Sequence, residues 1–108
     1  MDEYRVNVVF NIPVNRTFTY TSSEEVPIGI RVVAPFHGRS LTGFVVESSK
    51  ATGKREISSA DETSYTLKPI QRMLDREPLF DAPYLEFAQW VAERYYASLG
   101  EALSAMLP

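Results

Sequence analysis

Polar and apolar residues alternate through the first half of the chain. In YRVNVVF, residues 4–10, Tyr4, Val6, Val8 and Phe10 fall on one side, and Arg5, Asn7 and Val9 on the other. That is the period of a strand. Pro13 ends it, because proline has no amide hydrogen to give a ladder. TFTYT, residues 17–21, is β-branched and aromatic throughout and predicts a second strand. SSEEVPIG is a polar turn with Pro27 and Gly29. IRVVA, residues 30–34, is a third strand stopped by Pro35, and PFHGRS is a connector in which Gly38 is free to take positive φ. LTGFVVE, residues 41–47, is a fourth strand, and its Gly43 signals either a bulge or a close backbone approach. Residues 48–64 are polar apart from Ile57 and read as a long loop. YTLKPIQRML, residues 65–74, returns to alternation as a fifth strand, with Pro69 setting it partly at an edge.

The texture then changes. Asp81 suits an N-cap and Pro83 a first helical turn. Leu85, Ala88, Val91 or Ala92, and Tyr95 recur at helical spacing, which predicts a helix over 82–97. Ser98 with Glu101 forms a capping-box pattern, so a second, short helix is expected over 99–106. Strands first and helices last argue an α+β domain. Its strands would make a small, strongly curved antiparallel sheet or barrel of the OB type. We read residues 1–108 as a single domain, β-rich over 1–74 and helical over 82–107.

Composition narrows the class. At 108 residues, 44% apolar and 12% aromatic, the chain can fold without staples. It holds no cysteine, which removes disulfides, cysteine zinc sites and thiol nucleophiles and fits a reducing cytoplasm. Its start is acidic and alternating, unlike a signal peptide, and no run is apolar enough for a membrane helix. Asn15-Arg16-Thr17 matches a glycosylation sequon, which we read as chance. The net charge is -3, unlike a protein that grips duplex DNA across many phosphates. The charge is uneven, however. Residues 31–55 carry Arg31, Arg39, Lys50, Lys54 and Arg55 against Glu47, while residues 81–101 carry Asp81, Glu86, Glu93 and Glu101 against Arg94. One region suits an anion and another repels it.

No catalytic apparatus is legible. Gly53-Lys54 is not a phosphate-binding loop, because Ser48 stands where the first glycine belongs and Arg55 where a Ser or Thr belongs. His37 is the only histidine and has no metal-ligand companion. The pairs Glu24-Glu25 and Asp61-Glu62 sit in polar loops with nothing apolar to raise a pKa. Trp90, Tyr95 and Tyr96 read as helix-to-sheet packing, with a stacking platform as the alternative. Lys68 is either a snorkelling surface lysine or a phosphate contact. Phe18 and Tyr20 are core by periodicity. Phe18 also opens its strand next to Arg16 and Thr17, where a base could stack on an exposed ring. The residues thus describe a β-rich binding module, with a protein-docking scaffold as the alternative.

The segments IPVNRTFTY, GIRVVAPFHGRSLTGFVV, LKPIQRMLDREPLF and WVAERYYASLGEALSAMLP, in that order, resemble the N-terminal domain of the primosomal replication-restart helicases, the PriA family. The resemblance runs from Val8 to Pro108. It implies a non-catalytic module that binds the 3′ end of the nascent leading strand at a stalled fork. In the family pattern a pocket is built from an aromatic-acid pair in the second strand, a glycine after Pro-Phe and a lysine in a later strand. Phe18 matches the aromatic and Lys68 the lysine. Thr19 stands in place of the aspartate and His37 in place of the glycine, with Gly38 one position later. Arg16 and Arg39 would add phosphate attraction. The resemblance also implies a longer parent with ATP-binding helicase lobes and a zinc-binding insertion, its cofactors being ATP, magnesium and zinc. Its partners would be fork DNA, the parent's other domains and primosome proteins, and this chain itself would need no cofactor.

Overall fold

A computed structural model of the chain describes residues 3–51 and 67–107. The expected loop beyond residue 51, the start of the expected fifth strand at 65–66, Gly53-Lys54 and Asp61-Glu62 lie outside the described residues. In chain order the elements are β1 (Glu3–Phe10), β2 (Phe18–Ser22), β3 (Arg31–Phe36), β4 (Arg39–Ala51), β5 (Arg72–Met73), α1 (Ala82–Arg94) and α2 (Leu99–Met106). The strands form one antiparallel sheet in the order β2-β1-β4-β3-β5, followed by the two helices.

The fold class is α+β as expected, but the sheet does not close into a barrel. β2 and β5 stand at its two edges, and the segment before β5 lies in the seam between them. The Thr21 amide donates to Lys68 O (2.9 Å) and the Ile70 amide to Thr21 O (3.0 Å), while the Gln71 amide donates to Val33 O (2.7 Å). Only one isolated parallel bridge, Thr21 with Pro69, joins β2 to this segment. β5 is short because residues 68–70 turn to bond β2, so the ladder to β3 holds only at Arg72 and Met73.

Curvature comes from β4, which runs 13 residues and serves both β1 and β3. Its register against β1 slips between Asn7 and Val8, leaving Val46 as the extra residue of a bulge that bends and twists the strand. The bulge is not at Gly43. That position is the close approach instead, since a Cβ there would lie 2.5 Å from a Val8 methyl. Two further boundaries moved. β4 continues to Ala51 where a loop was expected from residue 48, and β3 passes through Pro35 to Phe36.

The curved sheet buries both faces of β1. Val6, Val8 and Phe10 meet Tyr20, Val26, Ile30, Val32, Ala34 and Val45 on one side. Val9, on the other face, joins Phe44, Phe80, Ala88 and Leu103 under the helices. Gly100 lets α2 sit directly on the sheet, because a Cβ there would overlap the Phe10 carbonyl. Asp81 caps α1 by accepting from the Tyr84 amide (3.0 Å), and Ser98 and Glu101 form the expected capping box.

α1 ends at Arg94, three residues before the spacing predicted. Tyr96 takes φ 56° and the Ala97 amide donates to Ala92 O (2.9 Å), a Schellman stop with tyrosine where glycine is usual. This overturns the expected packing of the aromatics. Trp90, Tyr95 and Tyr96 are 54%, 70% and 97% exposed. Trp90 sits off the buried Ala88–Ala92 side, and the early stop carries both tyrosines away from the core.

Candidate nucleic-acid interface

The start of β2 holds the aromatic singled out from the sequence. Phe18 is half-buried, neither sealed in the core nor free of it. Its ring lies 5.8 Å from Phe10 and 5.0 Å, edge-on, from Phe36. The Arg16 guanidinium sits over the ring, 5.0 Å from its centroid, a cation–π cover on a partly solvated face. Tyr20, two residues on, is buried, and its hydroxyl donates to Pro35 O (2.8 Å). Burial pushes its phenol pKa up. Of the two alternating rings, Tyr20 ties β2 to β3 and Phe18 is the one that reaches solvent.

Phe36 links Phe18 to the next predicted residues. The connector expected at 35–40 is a two-residue hairpin, with Phe36 paired to Arg39 and both His37 (φ 51°) and Gly38 (φ 77°) left-handed. Two positive φ values match the twist of the flanking strands. The His37 ring packs edge-on against Phe36 at 4.4 Å. The hairpin is also tied to the seam segment, since Ser40 Oγ donates to Gln71 Oε1 (2.9 Å). Arg16, Phe18, Phe36, His37 and Gly38 therefore form one contiguous end of the sheet, with Arg39 at its margin.

Lys68 lies beside β2, its carbonyl bonded to Thr21, three residues along the strand from Phe18. That is roughly 10 Å at strand rise. Its side chain is exposed, and neither Arg16, Arg39 nor Lys68 makes an ion pair among the described residues. Thr19 is not with them. Neighbouring strand residues face opposite ways, and the Thr19 hydroxyl donates to Asn7 Oδ1 (2.7 Å), whose amide donates to Glu47 Oε1 (2.9 Å). Thr19 thus belongs to a polar row on the other face.

The seam segment is clamped from the far side. The Arg31 guanidinium donates to both carboxylate oxygens of Asp75 (2.8 and 3.0 Å), and the Arg31 amide adds a third bond (2.8 Å). Hydrogen bonding from Arg31 holds the Asp75 carboxyl below the usual range and raises the guanidinium in turn. A hollow of about 330 Å³ opens at the other end of the seam, between Ser22–Glu24 and Pro69–Met73. Its lining sets Glu3 and Glu24 against Arg72, and Phe18 does not line it. Among the described residues no cluster of three or more His, Asp or Glu could hold a metal.

Field separates this end of the molecule from the helices. Residues 3–51 and 67–76 carry eight Lys and Arg against five Asp and Glu, a net +3; residues 77–107 carry one against five, a net -4. A model of the 3′DNA-binding domain (3′BD) of PriA matches residues 7–108. The chain belongs to the PriA 3′DNA-binding domain family. Replication restart protein PriA of Treponema pallidum is 37% identical over 107 residues, covering 95% of this chain and 16% of that protein. The Haemophilus influenzae protein of the same name is 31% identical over 105 residues, 95% of this chain and 13% of its own length. That of Bacillus subtilis is 27% identical over 99 residues, covering 88% and 11%. The chain thus spans about a sixth or less of the length of these relatives.

Sequence reasoning missed Phe36, Gln71 and the Arg31–Asp75 clamp. The hairpin was legible: His-Gly stands between two strand-like runs, separated by two residues. Nothing in the sequence pairs Arg31 with Asp75, 44 positions apart.

Proposed function

We propose that this chain is the non-catalytic DNA-end-binding part of a longer replication-restart helicase of the cytoplasm, reading the 3′ end of the nascent leading strand at a stalled fork. The observation that carries the reading is the half-buried Phe18 ring, held by Phe10 and Phe36 and covered by a guanidinium, at the cationic end of a chain in the 3′DNA-binding domain family. A base stacks on such a surface whatever its sequence. Arg16, Arg39 and Lys68 supply attraction for one or two phosphates. In this reading the His37–Gly38 hairpin, open on the Gly38 side, meets the terminal sugar with its backbone. Thr19 acts at a distance from the ring, through the polar row it shares with Asn7. The parent's ATP, magnesium and zinc serve its other domains, and primosome proteins and those domains complete the partner set.

The test is binding of a short labelled single strand by anisotropy. A strand with a free 3′-hydroxyl should bind more tightly than one ending in a 3′-phosphate, and both should weaken as salt rises. Equal affinity for the two ends removes end recognition from the proposal. Binding indifferent to salt removes the phosphate contacts.

A further inference from the structure

α1 carries two apolar stripes. One faces the core through Ala88 and Ala92, with Tyr84, Leu85 and Val91 half-buried. The other faces solvent: Phe87 and Trp90 are each 54% exposed and stack at 6.0 Å, and Arg94 lies over the indole at 5.9 Å. With Pro83 these positions recur at i, i+4, i+7 and i+11, a straight ridge of about 16 Å along the helix. Such a ridge fits the groove of another helix. Large aromatics left half exposed and stacked on one another form a contiguous apolar patch, and a patch of this kind marks an interaction surface.

Charge decides what covers it. Trp90 has Glu86 four residues before it and Glu93 three after, so a carboxylate flanks the indole at both ends on one side. Residues 77–107 sum to -4. A nucleic acid strand is repelled by that field. Arg94 at the end of the ridge leaves two carboxylates against one guanidinium, so a second copy would bring one net negative surface against another. We infer that the Phe87–Trp90 ridge docks a cationic amphipathic helix of a protein partner. This surface is separate from the Phe18 end, and the inference does not depend on end recognition there.

Trp90 is the only tryptophan in the chain, so its emission reports on this face alone. The 108-residue chain is titrated with an amphipathic Leu/Lys helical peptide of about 18 residues, and with a Leu/Glu twin of the same apolar face. The cationic peptide should shift Trp90 emission to the blue and saturate. The double variant Glu86→Gln, Glu93→Gln should weaken it by about tenfold, as should about 0.5 M salt. Phe87→Ala should weaken the peptide while leaving circular dichroism and DNA-strand binding unchanged. No shift, or an equal shift with the Leu/Glu twin, overturns the inference. So does a shift on concentrating the chain alone, which assigns the ridge to a second copy, or a shift with single-stranded DNA, which assigns it to nucleic acid.

Discussion

The molecule places an arginine over an aromatic ring twice, with opposite consequences. At the sheet seam Arg16 covers Phe18, a ring anchored on Phe10 and Phe36 in a field of net +3. On α1 Arg94 covers Trp90, a ring anchored only on the equally exposed Phe87 in a field of net -4. The local motif is the same, and the surroundings are the ground on which we propose a different ligand for each. A ring fixed by the core in a cationic setting is preorganised for a base beside a phosphate. A ring on a helix ridge edged by carboxylates suits a cationic protein surface. A cation–π pair by itself therefore predicts neither, and the discriminating information is what the ring stands on and which charges surround it.

The strongest way to break the comparison is to separate its two halves. α2 joins the helices to the sheet through Gly100, set against the Phe10 backbone, and through Ser98 Oγ, which donates to Ile12 O (2.6 Å). Gly100→Ala forces a methyl into a backbone carbonyl that cannot move away without distorting β1. The expected cost is about 3 kcal/mol or more by denaturant melt, since the obstacle is main chain and not a flexible side chain. A loss under about 1 kcal/mol would mean that the helices float on the sheet and that the two surfaces need not share one rigid body.

Next in size is the ring itself. Phe18→Leu keeps an apolar side chain against Phe10 and Phe36 but removes the flat face. Stability should fall by less than about 1.5 kcal/mol, while binding of a single strand should weaken by about 1–2 kcal/mol. The two losses separate core role from stacking role. If stability falls and binding does not, Phe18 belongs to the core alone, and the contrast with Trp90 reduces to burial.

The sequence carried the elements whose cause is local. Alternation in residues 4–10, the Asp81 cap and the Ser98–Glu101 box all act within a few positions, and all appear in place. What was hidden depends on partners far along the chain. The half-burial of Phe18 follows from Phe36, 18 positions on, and no periodicity shows it. The exposure of Trp90 follows from which side of α1 faces Leu103 and Phe44. Helical spacing marked a stripe but could not say that there were two. Thr19 next to Phe18 looked like one site, yet pleating puts them on opposite faces, a consequence legible in the alternation itself.

A smaller effect sharpens the cationic side. The Arg31–Asp75 clamp holds the seam segment on which Lys68 rides. Asp75 is depressed in the folded state, so its contribution is present above its ordinary value of 3.8 and is lost as pH falls through the lower folded value. Asp75→Asn should cost about 1 kcal/mol at neutral pH. Arg31 is 43% exposed, so solvent screening trims the gain from the pair. The variant should also flatten the stability–pH curve at its acid end. An unchanged acid limb would show that other carboxylates govern it.

The smallest expected change runs the other way. His37 occupies a left-handed position at φ 51° in the hairpin that ends beside Phe18. Asparagine tolerates that region better than histidine, and Asn-Gly is the preferred pair for a two-residue hairpin of this kind. His37→Asn gives up the edge contact with Phe36 but relieves the backbone, for a net gain of about 0.5 kcal/mol. The smaller side chain also opens the approach to the hairpin backbone, where Gly38 has nothing within 4 Å of its Cβ position. Strand binding should therefore hold or improve while the melting temperature rises. A more stable variant that binds more weakly would assign the imidazole a contact with the ligand. The two Arg–aromatic pairs would then differ in a further respect: the one at the seam would have the His37 ring acting with Phe10, Phe18 and Phe36, whereas the one on the helix has only its stacked neighbour.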